Sequence, residues 1–566
     1  MKTYSFDHYY EYEEMTQVLK EVAEDYPELI KVNSICTTPE NREVWACEIT
    51  NYKTGGCMDK PAYYVDANHH AGEVTGSMAA IHLIVTLVQK YGTDEKITSL
   101  LDNKTVYVIP RITPDGAETY LTSSEKLRSV NRPYPFEKLA PGLHPADMDG
   151  DGVIRIMRVP SANGVWKESS YDKRIMTRRS PSDFGGKYYN IYPEGHIVDY
   201  DGANIKPAIG KWCLDFNRNY PLGWFPEVRQ PGAGKYPLSN PENKAIADFV
   251  INHENICGAV TYHTSGGCYI YPPGTKPSKD ADQRDMRMFK EIGTMVKEET
   301  GYECFNIFDG FLEDTVNFSS GAFDDWMYQA QGIPTYTAEL WDLAIRAGVP
   351  DPYPHSIPKT PQQQEHQMTE CYKWIDKNVP EVKSGKPIKE WTEFNHPQLG
   401  KIEIGSFDFK YTWQNCPPGY LEQEVEKNTN FCLRMAATLP QVNVDNIGYE
   451  KIAENVFKVK AQISNIGYLP TFVCNEAKSL NINKPVVANV DCRCEMIMGK
   501  KQEILGDIEG FSGVETEYSY DNITTYEHDE YTKFVEWVVK AEEGTEFRVE
   551  FKCAKAGKVS ASVILR

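Results

Sequence analysis

The sequence contains 566 residues, of which 41% are hydrophobic and 25% are charged, as in an ordinary globular protein. A chain of this length exceeds what a single hydrophobic core usually holds, so we expect two or more domains. Its formal net charge of −21 argues against nucleic-acid binding, which needs a basic surface, and against binding to anionic membranes.

The first part of the chain alternates between helical and strand patterns. Apolar periodicity predicts helices at 11–25 and 73–92, which stop near Pro27 and at Gly92. Apolar and β-branched runs predict strands at 29–38, 43–51, 61–67 and 105–112, the last of which leads into the turn "TPDG".

Residues 132–212 interrupt this alternation. They are rich in Pro, Gly, Asp and Tyr, and they predict a long surface insertion. Beyond it, the patterns predict strands at 258–263 and 333–340, with helices at 280–300 and 361–379. Strands that alternate with helices indicate an α/β domain with a mixed, mostly parallel central sheet flanked by helices. We expect this domain to span residues 1–380.

The pattern changes after this domain. Residues 381–440 predict a polar linker and a helical connector, with one helix near 419–437. From 441 to 566, short alternating runs such as "VFKVKAQISNIG" and "KVSASVIL" are separated by turn signals. Such spacing is typical of an antiparallel all-β sandwich.

The N-terminus and the cysteines bear on the compartment. "MKTYSFDHYYEYEE" lacks the apolar core of a secretion signal, and no apolar run reaches the ~18–20 residues that cross a bilayer, so we expect a cytoplasmic protein. The 14 cysteines are scattered, which favours reduced thiols over a disulfide framework. Cys492 and Cys494 lie two apart on a predicted strand, so we expect them to share one face of the sheet rather than bind a metal.

The stretch "VDANHHAGEVTG" (65–76) places two histidines at a strand end and Glu73 at the start of a helix. In an α/β sheet, ligands bind at the carboxyl ends of strands. A histidine and a glutamate three residues apart can converge on one ion, and their ligand atoms both suit zinc. His263, at the end of the run "AVTYH", supplies a third ligand from another strand end. The pattern predicts a zinc site, with the choice between His69 and His70 still open.

Glu339 ends a third strand-like run, in "PTYTAELWD". An apolar strand has no use for a buried carboxylate unless that group is paired or catalytic. With Glu339, seven motifs stand in one order, namely "HAGE", "TPDG", Arg128, "DFNRNY", "YHTSGG", "DDW" and "TAEL". This ordered set resembles the zinc carboxypeptidase family that includes pancreatic carboxypeptidases A and B. The phrase "HPQLGKIEIG" (396–405) and the sandwich after it resemble the family's long bacterial members.

The resemblance implies a metallocarboxypeptidase, which hydrolyses the C-terminal peptide bond of peptides that carry a free C-terminal carboxylate. His70, rather than His69, matches the first position of the family's HxxE motif. His70, Glu73 and His263 are therefore the implied ligands of one Zn²⁺ per chain. Glu339 matches the general base that deprotonates the zinc-activated water, whose pKa zinc lowers to about 7.

The resemblance also implies roles for three polar residues. Arg128 stands where the family has the arginine that stabilises the oxyanion, and a positioned cation is suited to that task. Asn217 and Arg218, within "DFNRNY", match the pair that binds the terminal carboxylate of the substrate. A guanidinium can hold a carboxylate through two parallel hydrogen bonds.

Three positions differ from the pancreatic members or bear on specificity. Residues 303–327 contain no tyrosine, and Asn317 falls near the place of the family's substrate-capping tyrosine. Gly72 replaces the arginine inside the HxxE motif, so the subsite which that arginine serves should differ. Asp324, in "DDW", stands at the floor of the side-chain pocket, where an aspartate resembles the arrangement that selects Lys or Arg. Alternatively, Asp324 caps the helix that starts near Trp326 and points away from the pocket.

A second cation site is suggested by "DMDGDGVIRIMR" (147–158). Asp147, Asp149 and Asp151 stand at the first, third and fifth positions of a calcium loop, but Arg158 replaces the glutamate required at the twelfth. Ca²⁺ binding is therefore one interpretation, and an acidic turn is the other.

Two further interpretations of the whole chain stay open. One is a peptidase of the same fold that cleaves cell-wall muropeptides. The other is a catalytically inactive protein that binds peptides or glycans. The sequence does not indicate an oligomeric state.

Overall fold

A computed structural model describes residues 2–351, 354–513, 515–519, 522–526 and 529–566. The helices in these residues are α1 Tyr12–Asp25, α2 Val74–Lys90, α3 Glu95–Asn103, α4 Pro114–Thr122, α5 Pro241–Asn252, α6 Gln283–Thr300, α7 Phe323–Gln331, α8 Leu343–Arg346, α9 Pro361–Asn378, α10 Leu421–Ala437 and α11 Asn475–Ser479. Within the described residues, none of these helices combines the length and the hydropathy of a bilayer-spanning segment.

The described strands fall into two groups along the chain. The first sixteen are β1 Ile30–Thr37, β2 Glu43–Ile49, β3 Ala62–Ala67, β4 Thr105–Ile109, β5 Gly142–Pro145, β6 Ile156–Pro160, β7 Trp166–Glu168, β8 Met176–Arg178, β9 Tyr189–Pro193, β10 Gly195–Val198, β11 Ile256–Thr264, β12 Cys268–Tyr271, β13 Glu303–Asn306, β14 Thr335–Leu340, β15 Ile388–His396 and β16 Gly400–Phe407. The others are β17 Val442–Ala453, β18 Val456–Asn465, β19 Val486–Asp491, β20 Glu495–Met498, β21 Gln502–Gly506, β22 Glu515–Ser519, β23 Asn522–Tyr526, β24 Thr532–Lys540, β25 Glu546–Cys553 and β26 Gly557–Ile564.

The central sheet has the strand order β1-β2-β4-β3-β11-β14-β12-β13. Its middle strands β4, β3, β11 and β14 are parallel, whereas β1, β2 and β12 introduce antiparallel pairs. Along β3, Tyr63 and Val65 pack with α2 on one face, and Ala62 and Tyr64 pack in a second cluster on the other. Burial on both faces explains why this strand is a continuous apolar run. The predicted α/β class with a mixed, mostly parallel sheet is confirmed.

Helix α10 belongs to the layer of helices on this sheet. It packs against α2 and α6 and also contacts β3 and β11. The Cys432 thiol lies 3.0 Å from the hydroxyl of Tyr262 on β11, which places α10 directly on the sheet. The predicted helix near 419–437 therefore exists, but it forms part of the first core rather than a free connector.

The insertion contains more strand than its composition suggests. Strands β6 to β9 join β15 and β16 in a sheet of order β15-β16-β6-β9-β7-β8, and β5 pairs with β10. Ile402 and Ile404 of β16 are buried with Met157 of β6 in a small separate core. The expectation of a linker is thus wrong for 388–407, because the alternating apolar residues of β16 are covered by the insertion.

The C-terminal part forms the predicted antiparallel sandwich. One sheet has the order β17-β18-β24-β20, and the other has the order β21-β19-β25-β26. Inward-facing residues such as Phe457, Trp537 and Phe547 fill the space between the sheets. The loop before α11 leaves this sandwich, and its residues Leu469 and Val473 enter the core of the first domain.

The expectation that Cys492 and Cys494 lie on one strand is wrong, because they lie between β19 and β20. Cys492 and Cys494 form a disulfide with a Cα–Cα distance of 5.4 Å. Strand β19 ends at Asp491, and the chain bends after it. Residues two apart on a straight strand would be about 6.6 Å apart, so the bend brings these two thiols together.

Candidate metal centre

The three predicted zinc ligands come together at one edge of the central sheet. His70 follows the end of β3, Glu73 immediately precedes α2, and His263 lies near the end of β11. Strands β3 and β11 are parallel and adjacent, so their carboxyl ends meet at this edge. The ligand atoms of His70, Glu73 and His263 lie within 4.8 Å of one another.

The donor atoms face one another closely. Nδ1 of His70 lies 2.8 Å from Oε1 of Glu73, and Nδ1 of His263 lies 2.9 Å from Oε2 of the same carboxylate. The two Nδ1 atoms are 3.0 Å apart. All three side chains are buried.

The contacts of the two His70 ring nitrogens show why this cluster suits a cation. Nε2 of His70 lies 3.0 Å from Oδ1 of Asp215. In the neutral tautomer that donates Nε2–H to this carboxylate, Nδ1 carries a lone pair and faces the centre of the cluster, where a cation can bind between it and Glu73. Two imidazole nitrogens and a carboxylate that face one another match the two-histidine, one-glutamate set found in catalytic zinc sites.

Electrostatics favour the ligand forms of these groups. Burial lowers the pKa of His263, which keeps its ring neutral. Burial alone would raise the pKa of Glu73, but His70 and His263 outweigh it and hold that pKa below its usual value. A neutral imidazole and an ionised carboxylate are the states in which these side chains bind metals.

His69 does not join the cluster. Its Nε2 lies 2.8 Å from the Tyr220 hydroxyl, and its Nδ1 lies 3.2 Å from the Thr261 hydroxyl. Its ring is fully buried and stacks on that of His263 at a centroid distance of 5.7 Å. His69 is therefore a core residue behind the site, as the assignment of His70 to the first ligand position requires.

Asp215 is a site residue that the sequence interpretation missed. Besides contacting His70, its Oδ2 accepts a hydrogen bond of 2.9 Å from Nε of Arg128, and its Oδ1 accepts one from the Asn217 amide. Burial opposes its ionisation, but Arg128 and His70 outweigh burial and hold the pKa of Asp215 well below its usual range. Its place two residues before Asn217 in "DFNRNY" was the available signal.

Arg128 lies at the mouth of the cluster. Its Nη1 donates to Oε1 of Glu73 at 3.4 Å, and 43% of its side chain is exposed. It is thus held on one side by Asp215 while its guanidinium stays accessible. This placement agrees with the predicted role of Arg128 beside a reacting carbonyl, although that role itself stays a prediction.

Glu339 and the cluster line one cavity of about 220 Å³. In the parallel pair β11 and β14, Glu339 is the register partner of His263. Burial, reinforced by the charge of Glu73, raises the pKa of the Glu339 carboxyl well above its usual range, although Arg128 opposes this shift. A carboxyl with a raised pKa can take up and return a proton near neutral pH.

Arg218 and Asn217 line the same cavity. Arg218 donates to the Asn217 carbonyl at 2.7 Å and to the Ser319 hydroxyl at 3.0 Å. The side-chain oxygen of Asn217 accepts a hydrogen bond of 2.8 Å from the amide of Phe323, the first residue of α7. Both predicted carboxylate-binding residues are therefore fixed where their remaining donors can face a ligand.

Two acidic residues line the cavity from α7. Asp324 accepts a hydrogen bond of 2.6 Å from the Thr337 hydroxyl and is 4% exposed. Asp325 accepts from the Gly274 amide, and burial together with the charge of Asp324 raises its pKa to about 7. Helix α7 begins at Phe323 and has no side-chain cap, so the alternative in which Asp324 is the N-cap is wrong.

Asn317, which falls near the predicted place of a capping tyrosine, is not among the described residues that line the cavity. The Asn317 side chain donates to Asp314. Phe311 and Leu312 line the cavity on this side instead. Among the described lining residues there is no tyrosine.

The predicted calcium loop does bring its three aspartates together. Asp147 accepts hydrogen bonds from the amides of Gly150 and Gly152. The ammonium of Lys389 lies 2.6 Å from Asp149 and 2.8 Å from Asp151, so a cation from the chain already contacts two of the three carboxylates. Calcium binding stays a prediction and would require Lys389 to move.

Comparison with known sequences gives two family matches. The profile described as "Zinc carboxypeptidase" matches residues 15–367, which is more than half of the chain. A domain of unknown function matches residues 441–564.

Individual relatives are distant. Carboxypeptidase A2 of Rattus norvegicus is 23% identical over 342 residues, which cover 60% of this chain and 64% of that protein. Carboxypeptidase A1 of Homo sapiens is 24% identical over 343 residues, again 60% and 64%. The chain thus spans less than two thirds of the length of these relatives. The solved carboxypeptidase A of Helicoverpa armigera is similar at 18% identity and a TM-score of 0.37, over 66% of this chain and 73% of that one.

Proposed function

The chain belongs to the zinc carboxypeptidase family, and on this premise we propose that it removes residues from the C-termini of peptides. The observation that carries the proposal is the cluster of His70, Glu73 and His263 in one cavity with Glu339 and Arg218. A ligand set for zinc, a carboxyl with a raised pKa and a carboxylate-binding arginine are the parts that C-terminal peptide hydrolysis needs.

In the proposed reaction, zinc held by the cluster would supply Lewis acidity to the attacking water and to the scissile carbonyl. Glu339 takes the proton of the water as it attacks and passes it to the leaving amine. Arg128, held by Asp215, stabilises the negative charge that develops on the carbonyl oxygen. Arg218 and Asn217 hold the terminal carboxylate and thereby select the last peptide bond.

The first prediction concerns the ligand set. His70→Ala is expected to lose zinc and peptidase activity, because it removes one of three ligands and leaves Glu73 and His263 unable to complete the site. The matched control is His69→Ala, whose side chain contacts Tyr220 and Thr261 instead. This variant should bind one zinc per chain, although the cavity left by the missing His69 ring will lower Tm.

Elemental analysis of purified protein and a C-terminal peptide-ladder assay provide the measurements. Wild type without bound zinc would disprove the proposed function. Zinc retained by His70→Ala but lost by His69→Ala would reverse the assignment. Including muropeptides beside ordinary peptides distinguishes a cell-wall peptidase, and zinc binding without cleavage of either substrate indicates a binding protein. A cytoplasmic location stays a prediction.

The second prediction concerns the terminal residue that is removed. Asp324 and Asp325 place two buried carboxyl groups at the cavity, and an unpaired buried charge is costly, so a substrate ammonium or guanidinium should bind there. We expect kcat/KM to be higher for peptides that end in Lys or Arg than for matched peptides that end in Phe, Leu or Glu. Asp324→Asn should abolish this preference, at a cost of about 10-fold or more for the basic substrates.

Thr337→Val is the control for this experiment. It removes the hydroxyl that donates to Asp324 but leaves the carboxylate in place. It should keep the basic preference. Preference for Phe or Leu that is insensitive to Asp324→Asn would show that this carboxylate does not select the substrate.

A further inference from the structure

A segment outside the family match reaches the metal centre. We call residues 408–416 the bracing segment; it follows β16 and precedes α10, beyond the region that matches the zinc carboxypeptidase profile. Several of its residues are almost fully buried, among them Asp408, Thr412 and Asn415. It packs against the turn that carries His70 and Glu73.

The first turn of α2 lacks a hydrogen-bond acceptor from its own N-cap residue, and the bracing segment supplies one. The first amides of a helix have no intrahelical acceptor, and usually the N-cap side chain accepts one of them. Here the N-cap is Glu73, whose side chain makes no cap hydrogen bond. Its carboxylate faces His70 and His263 instead. The metal site therefore removes the ordinary cap from α2.

Asn415 supplies the missing acceptor from a distant part of the chain. Its Oδ1 accepts a hydrogen bond of 3.0 Å from the amide of Thr75, the second residue of α2. Its Nδ2 donates to the carbonyl of Gly72 at 2.8 Å, immediately before Glu73. Asn415 is fully buried, so removing its side chain takes these two bonds from backbone groups in the interior, where a lost hydrogen bond is costly. One amide thus holds the backbone on both sides of Glu73.

The packing around Gly72 supports this arrangement. A Cβ at this position would lie 2.8 Å from the Tyr120 ring and 2.9 Å from Nε2 of Gln414. The Tyr120 hydroxyl also donates to Oε1 of Gln414 at 3.0 Å. Tyr120 of α4 and Gln414 of the bracing segment together occupy the space into which a side chain at Gly72 would project.

The same segment also contacts the other side of the centre. The Thr412 carbonyl accepts a hydrogen bond of 2.9 Å from Nε1 of Trp341, two residues after Glu339. The segment is itself anchored by Lys410, whose ammonium donates to the carbonyls of Tyr120 and Ser123. It is thus a fixed contact that spans from the turn at Glu73 to the strand end at Glu339.

We propose that Asn415 is a positioning residue for the zinc site: it caps α2 in place of Glu73 and so frees the Glu73 carboxylate to bind the metal. This inference rests on the proposed function, because it requires that His70, Glu73 and His263 hold zinc. It assigns part of the metal affinity to a residue outside the family match. Residues that orient metal ligands typically contribute about 10–100-fold to metal affinity.

The test is the zinc dissociation constant of full-length Asn415→Ala, measured by competition with a chromophoric chelator. We expect Kd to rise by about 10-fold or more. The matched control is Asn465→Ala in the sandwich. Asn465 is also buried, and it bonds three backbone groups, namely the amides of Gln441 and Gly467 and the carbonyl of Leu469. It should lower Tm but leave the zinc Kd unchanged.

A purely structural role for Asn415 would lower Tm in both variants and leave both Kd values at that of wild type, which would overturn the inference. If Asn415→Ala does not fold, Asn415→Asp provides the second variant. It keeps an acceptor for Thr75 but turns a carboxylate oxygen toward the Gly72 carbonyl, which repels the backbone before Glu73, so its zinc Kd is expected to rise. An unchanged Kd in this variant would also overturn the inference. Wild type that binds no zinc would instead refute the proposed function itself.

Discussion

Glu339→Gln is expected to reduce kcat by ~10²–10⁴-fold, the usual contribution of a general base. The amide keeps the shape of the side chain but cannot take the proton of the attacking water. Because Glu339 is not among the three clustered residues, the variant should bind as much zinc as we expect for wild type, one ion per chain. Since the amide is nearly isosteric, KM should change little. Steady-state kinetics on a peptide substrate and elemental analysis provide the measurements.

The control is Glu242→Gln, which makes the same change at another buried glutamate. Glu242 is fully buried and accepts hydrogen bonds from Arg132, but it does not line the cavity. Its substitution should lower Tm through the lost ion pair and leave kcat unchanged. A wild-type kcat in Glu339→Gln would remove this residue from the mechanism.

The clustering of the three predicted ligands could be expected because strand ends are visible in a sequence. Two histidines follow shortly after the apolar run 61–67, the run 258–263 ends in His263, and parallel strands bring such ends to one edge. The choice between His69 and His70 was different. Both follow the same strand, and only the resemblance separated them. The structure shows why: the His69 ring turns into the core, where Tyr220 and Thr261 satisfy it.

The supporting residues were less accessible to sequence analysis. Asp215 stood inside a recognised motif, yet its contact with His70 crosses 145 residues. Asn415 had no signal at all, because it lies in an irregular segment and contacts Thr75 across 340 residues. Periodicity describes which face of an element is apolar; it does not indicate which loop will pack against a given helix end.

The fold likewise contains elements that the sequence predicts and elements that it does not. Strand β3 was predictable from its continuous apolar run, because both of its faces are buried. Strands β7 and β8 contain only three residues each, too few for an alternating pattern. The end of the first domain was also predicted incorrectly. Residues 388–407 have a polar composition, which predicts a linker, but they form β15 and β16, and β16 pairs with β6 of the insertion. Short strands depend on their tertiary partners for stability, and those partners lie far away in the sequence.

The second large effect is expected from truncation. A chain that ends at residue 390 should not fold, although it retains every predicted zinc ligand and Glu339. It lacks α10, whose Leu421, Val425, Phe431 and Met435 are fully buried in the core shared with α2. Burial of such side chains stabilises by roughly 1.5–3 kcal/mol each, so these four contribute about 6–12 kcal/mol. The whole net stability of a domain is only about 5–15 kcal/mol.

A chain that ends at residue 440 separates this effect from that of the sandwich. It keeps α10 and Asn415 but loses Leu469 and Val473, which enter the same core from the sandwich loop. It should unfold cooperatively at a lower Tm than wild type and still bind zinc, whereas the chain ending at 390 should show no cooperative transition and no stoichiometric zinc. Circular dichroism melts and elemental analysis of both chains provide the comparison. If the chain ending at residue 390 showed the Tm and zinc content of wild type, this prediction would be wrong. The residues matched by the family profile would then form a complete domain without α10.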